Sequence, residues 1–327
     1  MKRSPMRFKL RPLCSLLLMS AAFAAHAQPA YPSKPIRLVA STLPGSQPDS
    51  LARLFGQEMS KRWGFPVIID NRPGAAGVLA ASVVAKAAPD GHTLLYALPN
   101  FIISTALQPN LPYDPLRDFT GSTQIGFSTN LLVATPALGV KSIKEFIALA
   151  RSQPGKLIFA SSSPGSASYL SGVKFNLAAG IKAIHVAFKG GPDAAIEVLA
   201  GRSHYNVATL GVALPFIKEG KLQALALTSP QRTPALPEVP TLAEFLVEFK
   251  VPETSHGIVA PAGTPRSIVL QINREIARIL EIPDIRERIL GIGFVIAPST
   301  PEEYNKILRV QLESTLRLVK EAGLRPK

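Results

Sequence analysis

Three strand-to-helix turns of one chemical type stand out along the chain. The first is Pro44-Gly45-Ser46-Gln47-Pro48-Asp49. The second runs through Ser161, Ser162, Ser163, Pro164, Gly165, Ser166, Ala167 and Ser168, and the third is Lys189-Gly190-Gly191-Pro192-Asp193. Each contains Gly, which lets backbone approach a ligand closely. Each opens an expected helix, whose first N–H groups lack internal partners and carry a partial positive charge. Such an end suits a carboxylate or a phosphate. Plainer roles exist for the same residues. Ser46 and Asp49 fit S-x-x-D, so Asp49 either caps its helix or lines a pocket. The Ser run either satisfies its own loop backbone or holds the anion. Lys189 is either a solvated charge or a pocket cation.

Other chemistry finds little support. Ser171-Gly172-Val173-Lys174 matches the nucleophile motif S-x-x-K, but the companion S-D-N and K-T-G motifs are absent. Ser171 and Lys174 are the candidate pair for the enzyme alternative, an exported serine hydrolase. There is no G-x-S-x-G elbow, and no H-E-x-x-H or G-x-x-x-x-G-K-[ST] motif. Gly74-Ala75-Ala76-Gly77 lacks the full G-x-G-x-x-G spacing and reads as a tight turn. His92, His185, His204 and His256 form no i, i+4 pair. No catalytic residue, metal site or cofactor is expected.

The elements that must position the three turns alternate along the chain. Strands are expected at residues 36–40, 67–69 and 93–97, with helices at 49–63 and 78–87 between them. After Tyr113-Asp114-Pro115 the rhythm restarts. Strands are expected at 131–134, 157–160, 185–188, 205–208 and 222–227, and helices at 142–151, 168–179 and 193–200. This alternation predicts mostly parallel sheets with helices on both faces. In such sheets ligands bind beyond the carboxyl ends of the strands, where all three turns fall. Two α/β halves would leave a cleft between them, a common pocket location. A further strand is expected at 258–260. The last third is helical, with Thr300 and Glu303 as a capping box. Tyr304, Leu308, Leu312, Leu316 and Val319 form one expected core stripe.

Composition narrows the function classes. The 327 residues carry 36 Lys and Arg against 22 Asp and Glu, a net charge of +14, with 46% hydrophobic residues. That excludes a disordered polyelectrolyte. Residues 1–11 hold Lys2, Arg3, Arg7, Lys9 and Arg11 and no acid, an apolar run spans 13–25, and Ala25-His26-Ala27 follows. This is the pattern of a secretory signal peptide, cleaved after Ala27. The run is shorter than the roughly 20 residues of a membrane span. Cleavage removes five charges and the only Cys, Cys14, leaving +9. Thiolate chemistry is thereby excluded from the exported chain. Residues 126–227 hold ten basic and four acidic residues, so most of the remaining excess lies there. Positive cleft walls would attract small anions. Basic runs with interleaved aromatics are absent, so nucleic acid is not an expected partner.

The residues taken together resemble the Bug family, the tripartite tricarboxylate transporter receptors. The resemblance rests on Tyr31-Pro32-Ser33-Lys34-Pro35-Ile36-Arg37, Asp70-Asn71-Arg72-Pro73-Gly74, Pro89-Asp90-Gly91 and Leu111-Pro112-Tyr113-Asp114-Pro115. It continues through Gln153-Pro154-Gly155-Lys156-Leu157, His185-Val186 with Lys189-Gly190, Pro234-Ala235-Leu236-Pro237-Glu238-Val239-Pro240-Thr241 and Ala260-Pro261-Ala262-Gly263-Thr264-Pro265. It covers nearly all of the exported chain in order. It implies a periplasmic, type II-like two-lobed binding protein that closes on a small carboxylate. Residues 28–125 and 228–327 would form a discontinuous first lobe, and 126–227 the second. Ligand contacts would come from Pro44, Gly45, Ser46 and Asp49, from Asn100, and from the Ser-rich loop. Lys189, Gly190 and Thr209 complete the candidate set. The implied partners are membrane transporter subunits or, in a sensing role, a membrane histidine kinase. The protein itself is expected to be a monomer.

Several positions depart from the family pattern. Ser46 stands where a second Gly is usual, and Phe188 where a Tyr is usual. His204 and Ala208 occupy places that commonly hold acids, and Ser255-His256 replaces an aromatic pair. These departures are expected to cluster near the cleft.

Overall fold

The computed structural model describes residues 30–324 apart from 109, 163–164, 230–231, 234 and 247–254. The expected export signal, residues 1–27, lies outside the described residues, as does Ser163. Two sheets organise the chain. The first contains β1 (Ile36–Ala40), β2 (Val67–Asn71), β3 (Thr93–Ala97) and β4 (Phe119–Ser128). The second contains β5 (Asn130–Ala134), β6 (Ile158–Ser161), β7 (Ile184–Ala187), β8 (Tyr205–Thr209) and β9 (Gln223–Leu227). The chain then returns to the first sheet through β10 (Ser255–Pro261) and β11 (Phe294–Ile296). The strand orders are β11-β4-β10-β3-β1-β2 and β7-β6-β8-β5-β9.

Both sheets are mixed. The expected parallel strands form one side of each: β2, β1 and β3 in the first, β7, β6 and β8 in the second. The antiparallel pairs involve the strands by which the chain passes between sheets, β4 and β10 in one and β5 and β9 in the other. The first crossing falls at Thr129, whose N–H donates to the Gly293 carbonyl at 3.1 Å while its own carbonyl accepts the Leu210 N–H at 2.8 Å.

Helices cover both faces of each sheet. They are α1 (Gln47–Trp63), α2 (Val78–Ala85), α3 (Asn100–Leu107), α4 (Ile143–Ser152), α5 (Ala167–Ala178), α6 (Gly191–Leu199), α7 (Leu210–Lys218), α8 (Arg266–Leu280), α9 (Pro283–Gly291) and α10 (Pro301–Glu321). In β1, Ile36, Leu38 and Ala40 pack with Leu51 and Phe55 of α1 and Ile272 and Ile276 of α8. Val39 points the other way, into a cluster with Ala80, Phe101, Tyr304 and Leu308. The alternation of a strand thus feeds two cores. The second sheet repeats the plan. Leu132 and Tyr205 pack with Phe146 and Phe175 on one face, and Val133 and Ala208 with Val198 and Ala213 on the other.

Three differences from the sequence reading have clear causes. β4 was not expected, because Phe119-Thr120-Gly121-Ser122-Thr123-Gln124 shows no apolar alternation. Two of its polar side chains find partners far along the chain: Gln124 Nε2 donates to the Ala297 carbonyl at 2.8 Å and Thr123 Oγ1 to the Ser299 carbonyl at 3.1 Å. α3 and α7 were likewise unassigned. In α10 the expected stripe drifts. A spacing of four residues advances about 400°, so each step rotates roughly 40° off the face. Tyr304 and Leu308 are buried, but Leu316 is exposed, and Thr315 and Leu318 take its place.

Candidate functional site

The three turns lie beyond the carboxyl ends of parallel strands, the first after β1, the second after β6 and the third after β7. The segment after β3 and the β8–α7 junction share that location.

The first turn is built around Asp49, which is 2% exposed. Its carboxylate accepts the Gly45 N–H at 2.8 Å, Arg53 Nε at 2.9 Å and Asn71 Nδ2 at 2.8 Å. Asn71 Nδ2 also reaches the Thr42 carbonyl at 3.3 Å, and Arg53 Nη2 donates to Asn71 Oδ1 at 2.9 Å. Burial alone would raise the carboxyl pKa. The hydrogen bonds from Arg53, Gly45 and Asn71 outweigh it and hold the group below its ordinary range. The expected S-x-x-D capping box does not form. Ser46 Oγ bonds Thr42 Oγ1 and the Leu43 carbonyl, and leaves the first helical N–H groups of α1 uncapped by its side chain. Asp49 therefore shapes the loop that presents Pro44, Gly45 and Ser46.

Asn100 is the first residue of α3 and joins three loops. Ser41 Oγ donates to its Oδ1 at 3.2 Å. A Cβ on Gly77 would lie 2.6 Å from its Nδ2, and Gly77 has φ +91°. No side chain fits there. Sequence reasoning treated Gly74–Gly77 only as a tight turn. All four residues are left-handed, with φ 46° at Ala75 and 50° at Ala76. Left-handed Ala residues are strained by roughly 1–3 kcal/mol each. Ser104 Oγ donates to the Ala76 carbonyl at 2.7 Å and anchors the loop.

In the Ser-rich turn the hydroxyls divide. Ser161 is fully buried and bonds His185 Nε2 at 2.7 Å. Burial pushes His185 below its ordinary pKa. Ser168 Oγ lies 2.9 Å from Ser162 Oγ and 3.1 Å from Ser166 Oγ. Ser166 caps α5 by accepting the Tyr169 N–H at 3.2 Å. Gly165, with φ +91°, leads into this cap. Thr209 opens α7 without a side-chain cap. It pairs in register with Asn130, whose buried Oδ1 has no partner among the described residues.

The two lobes meet at these loops. A Cβ on Gly165 would lie 3.4 Å from Leu107 Cδ1 and 4.0 Å from Ala76 Cβ. A Cβ on Gly211, two residues after Thr209, would lie 2.9 Å from the Ile292 carbonyl and 3.3 Å from Gln47 Nε2. The Ser-rich turn thus faces the Asn100 side, and Thr209 faces the first turn. Lys189 and Gly190 follow β7, the edge strand of the second sheet. Lys189 is exposed, lines a shallow depression with Phe188, Asp193 and Ile196, and makes no ion pair among the described residues.

Several expectations are corrected. Half of the ten basic residues of 126–227 lie away from the cleft. Lys156, Lys182, Arg202 and Lys221 precede β6, β7, β8 and β9, and Lys141 follows β5, so all lie at the opposite strand ends. Not all departures lie at the turns: Ser46 belongs to the first turn, but three others, Ala208, Ser255 and His256, are internal. His204 sits at the far end of β8, where Nδ1 accepts the Ile158 N–H at 2.9 Å. Ser255 lies in the core and donates to Gln311 at 3.0 Å. His256 is held between Tyr96 Oη and Ser128 Oγ, each at 3.1 Å, and burial lowers its pKa to about 3. Ser171 is 2% exposed inside α5, where no substrate reaches it. Among the described residues no helix is long and apolar enough to cross a membrane, and no metal-binding group of His, Cys, Asp or Glu occurs.

Comparison with known proteins identifies the family and the fold. Residues 51–324 match the family described as tripartite tricarboxylate transporter family receptor. A UPF0065 protein of Pseudomonas sp. (strain P51) is 32% identical over 312 residues, 95% of this chain and 93% of that one. An R. palustris protein solved with adipate superposes with a TM-score of 0.80 at 31% identity, over 91% of this chain and all (100%) of that one. MatC from Rhodopseudomonas palustris, solved with malate, gives a TM-score of 0.77 at 32% identity, over 88% and 100%.

Proposed function

This chain belongs to the tripartite tricarboxylate transporter receptor family, and we propose that it is the periplasmic receptor for a small carboxylate held between its two lobes. It is a solute-binding protein and not an enzyme. The observation that carries the ligand assignment is the convergence of helix N-termini. The first turns of α1, α3, α5 and α7 stand at the carboxyl ends of facing strands, with few charged side chains among them. Uncapped N–H groups and hydroxyls suit a carboxylate better than a cation or an apolar solute.

In this reading Pro44, Gly45 and Ser46 approach one end of the ligand, together with Thr209. Asn100 and the loop bearing Ser162, Gly165, Ser166 and Ser168 approach the other. Asp49 and Ser161 stand behind these contacts and shape them. Lys189 and Gly190 guide the anion at the rim. The lobes comprise residues 28–125 with 228–327, and 126–227. Export removes residues 1–27, and the receptor works as a monomer that delivers its ligand to membrane subunits of a transporter.

Thermal denaturation of residues 28–327 against mono-, di- and tricarboxylates tests the ligand class. Adipate and malate, which two relatives hold, head the panel. A ligand at about 100 times its dissociation constant should add roughly 2.7 kcal/mol. Unmoved melting curves for every acid would overturn the assignment.

A further inference from the structure

One flank of the cleft is an apolar seam that none of the ligand-facing loops includes. Ile103 on α3 and Leu318 on α10 belong to the lobe of the first sheet, and Leu170 on α5 belongs to the other. They pack into one cluster and are 7%, 4% and 3% exposed. Leu107 from the first side and Ala167 from the second extend it.

The seam reaches well away from the crossing between the lobes. Gly165, just before α5, packs toward Leu107 and Ala76. Ala76 follows β2, the edge strand, which lies three strands from β10. At about 4.8 Å per strand that is roughly 14 Å from the strand that carries the chain between sheets. A rotation about Thr129 that opens the cleft must therefore pull this contact apart and wet it. The cluster is apolar, so what opening exposes at the seam is hydrocarbon. Leu170 stands one turn beyond Ser166, and Ile103 one turn beyond Asn100. The seam thus sets the distance between two of the helix ends assigned to the ligand.

We propose that the Ile103–Leu170–Leu318 seam is a closure latch. Its burial favours the closed receptor before ligand arrives, because apolar surface leaves water only in that state. Apparent affinity scales with the fraction of molecules already in the binding-competent state. Residues that never touch the carboxylate therefore tune how tightly it is held. This inference rests on the receptor reading above.

The test uses residues 28–327 with Leu170→Ala, Leu318→Ala and the double variant, one change on each side of the seam. Ligand-free small-angle scattering reports the lobe arrangement, and titration with the tightest acid of the panel reports affinity. Each single variant should enlarge the radius of gyration and weaken binding about tenfold. The double variant should lose much less than the product of the two, because either change removes the same contact. Leu170→Met, which keeps the volume, should behave as the parent. Unchanged scattering and affinity would overturn the latch, and so would fully multiplicative losses. If circular dichroism shows a truncation to be unfolded, Ile103→Val takes its place with the same criteria. Should no acid bind the parent, the receptor reading fails, while the scattering comparison still decides the latch.

Discussion

The Asp49 carboxylate accepts the Gly45 backbone N–H at 2.8 Å, four residues back along the chain. This single bond ties the turn after β1 to the helix it precedes. Arg53 and Asn71 complete the ring around the same carboxylate. A carboxylate that could have faced solvent is thereby occupied in holding the turn.

Asp49→Asn should loosen the first turn and weaken carboxylate binding, with stability falling by about 1–3 kcal/mol as Arg53 and the Gly45 N–H lose a charged partner. The sign with pH follows from the lowered native pKa. Its contribution is present above the unfolded carboxyl pKa, near 3.9, and is lost as pH falls through the native value. Acid unfolding curves of the variant should therefore be shallower below about pH 4 than those of the parent. Equal slopes would contradict this.

His256 titrates near 3 in the folded chain because it is buried between Tyr96, Ser128 and Phe294. In the unfolded chain it takes a proton near 6.5. Its neutral, buried state therefore stabilises fully above about 6.5, and the benefit fades as pH falls toward the native value. Denaturant titrations should show roughly 2 kcal/mol lost between pH 6.5 and 5 from this group. His256→Phe should flatten that interval.

Gly211→Ala should separate binding from stability. Within α7 the change favours helix by up to about 1 kcal/mol. Its Cβ, however, would lie 2.9 Å from the Ile292 carbonyl across the lobe contact. Calorimetry should find weaker carboxylate binding with an unchanged or raised melting temperature. Weaker binding accompanied by a large fall in melting temperature would point instead to damage within the second lobe.

Ser171→Ala should leave carboxylate affinity within about twofold of the parent, because Ser171 is buried within α5 and changes there act through packing alone. A fluorophosphonate probe should not label the parent. Labelling at Ser171 would contradict the placement.

Much of this protein is written locally. Strands with short apolar runs, such as β1 and β3, and helices with explicit caps, such as Ser142 before α4 and Thr300 before α10, could be read one segment at a time. The three Gly- and Ser-bearing turns were legible for the same reason, since backbone freedom and hydroxyls are properties of single residues. β4 was not. Its Thr123 and Gln124 look like a loop until the 297–299 segment supplies their partners. The stripe on α10 was legible except at Leu316, because a repeat of four slips around a helix of 3.6 residues per turn.

The sequence by itself determined the family, the alternation of strands and helices, and the chemical type of the loops. Only the tertiary structure decided which groups are free to meet a ligand. It placed half of the basic residues of 126–227 at the far strand ends, enclosed Asp49 and Ser161 behind their loops, and buried His256 beside the crossing. The reason is that burial and pairing depend on residues distant in sequence. Asp49 becomes a loop-former because Asn71 arrives from β2, and Gly211 becomes a contact between lobes because Ile292 arrives from the other end of the chain.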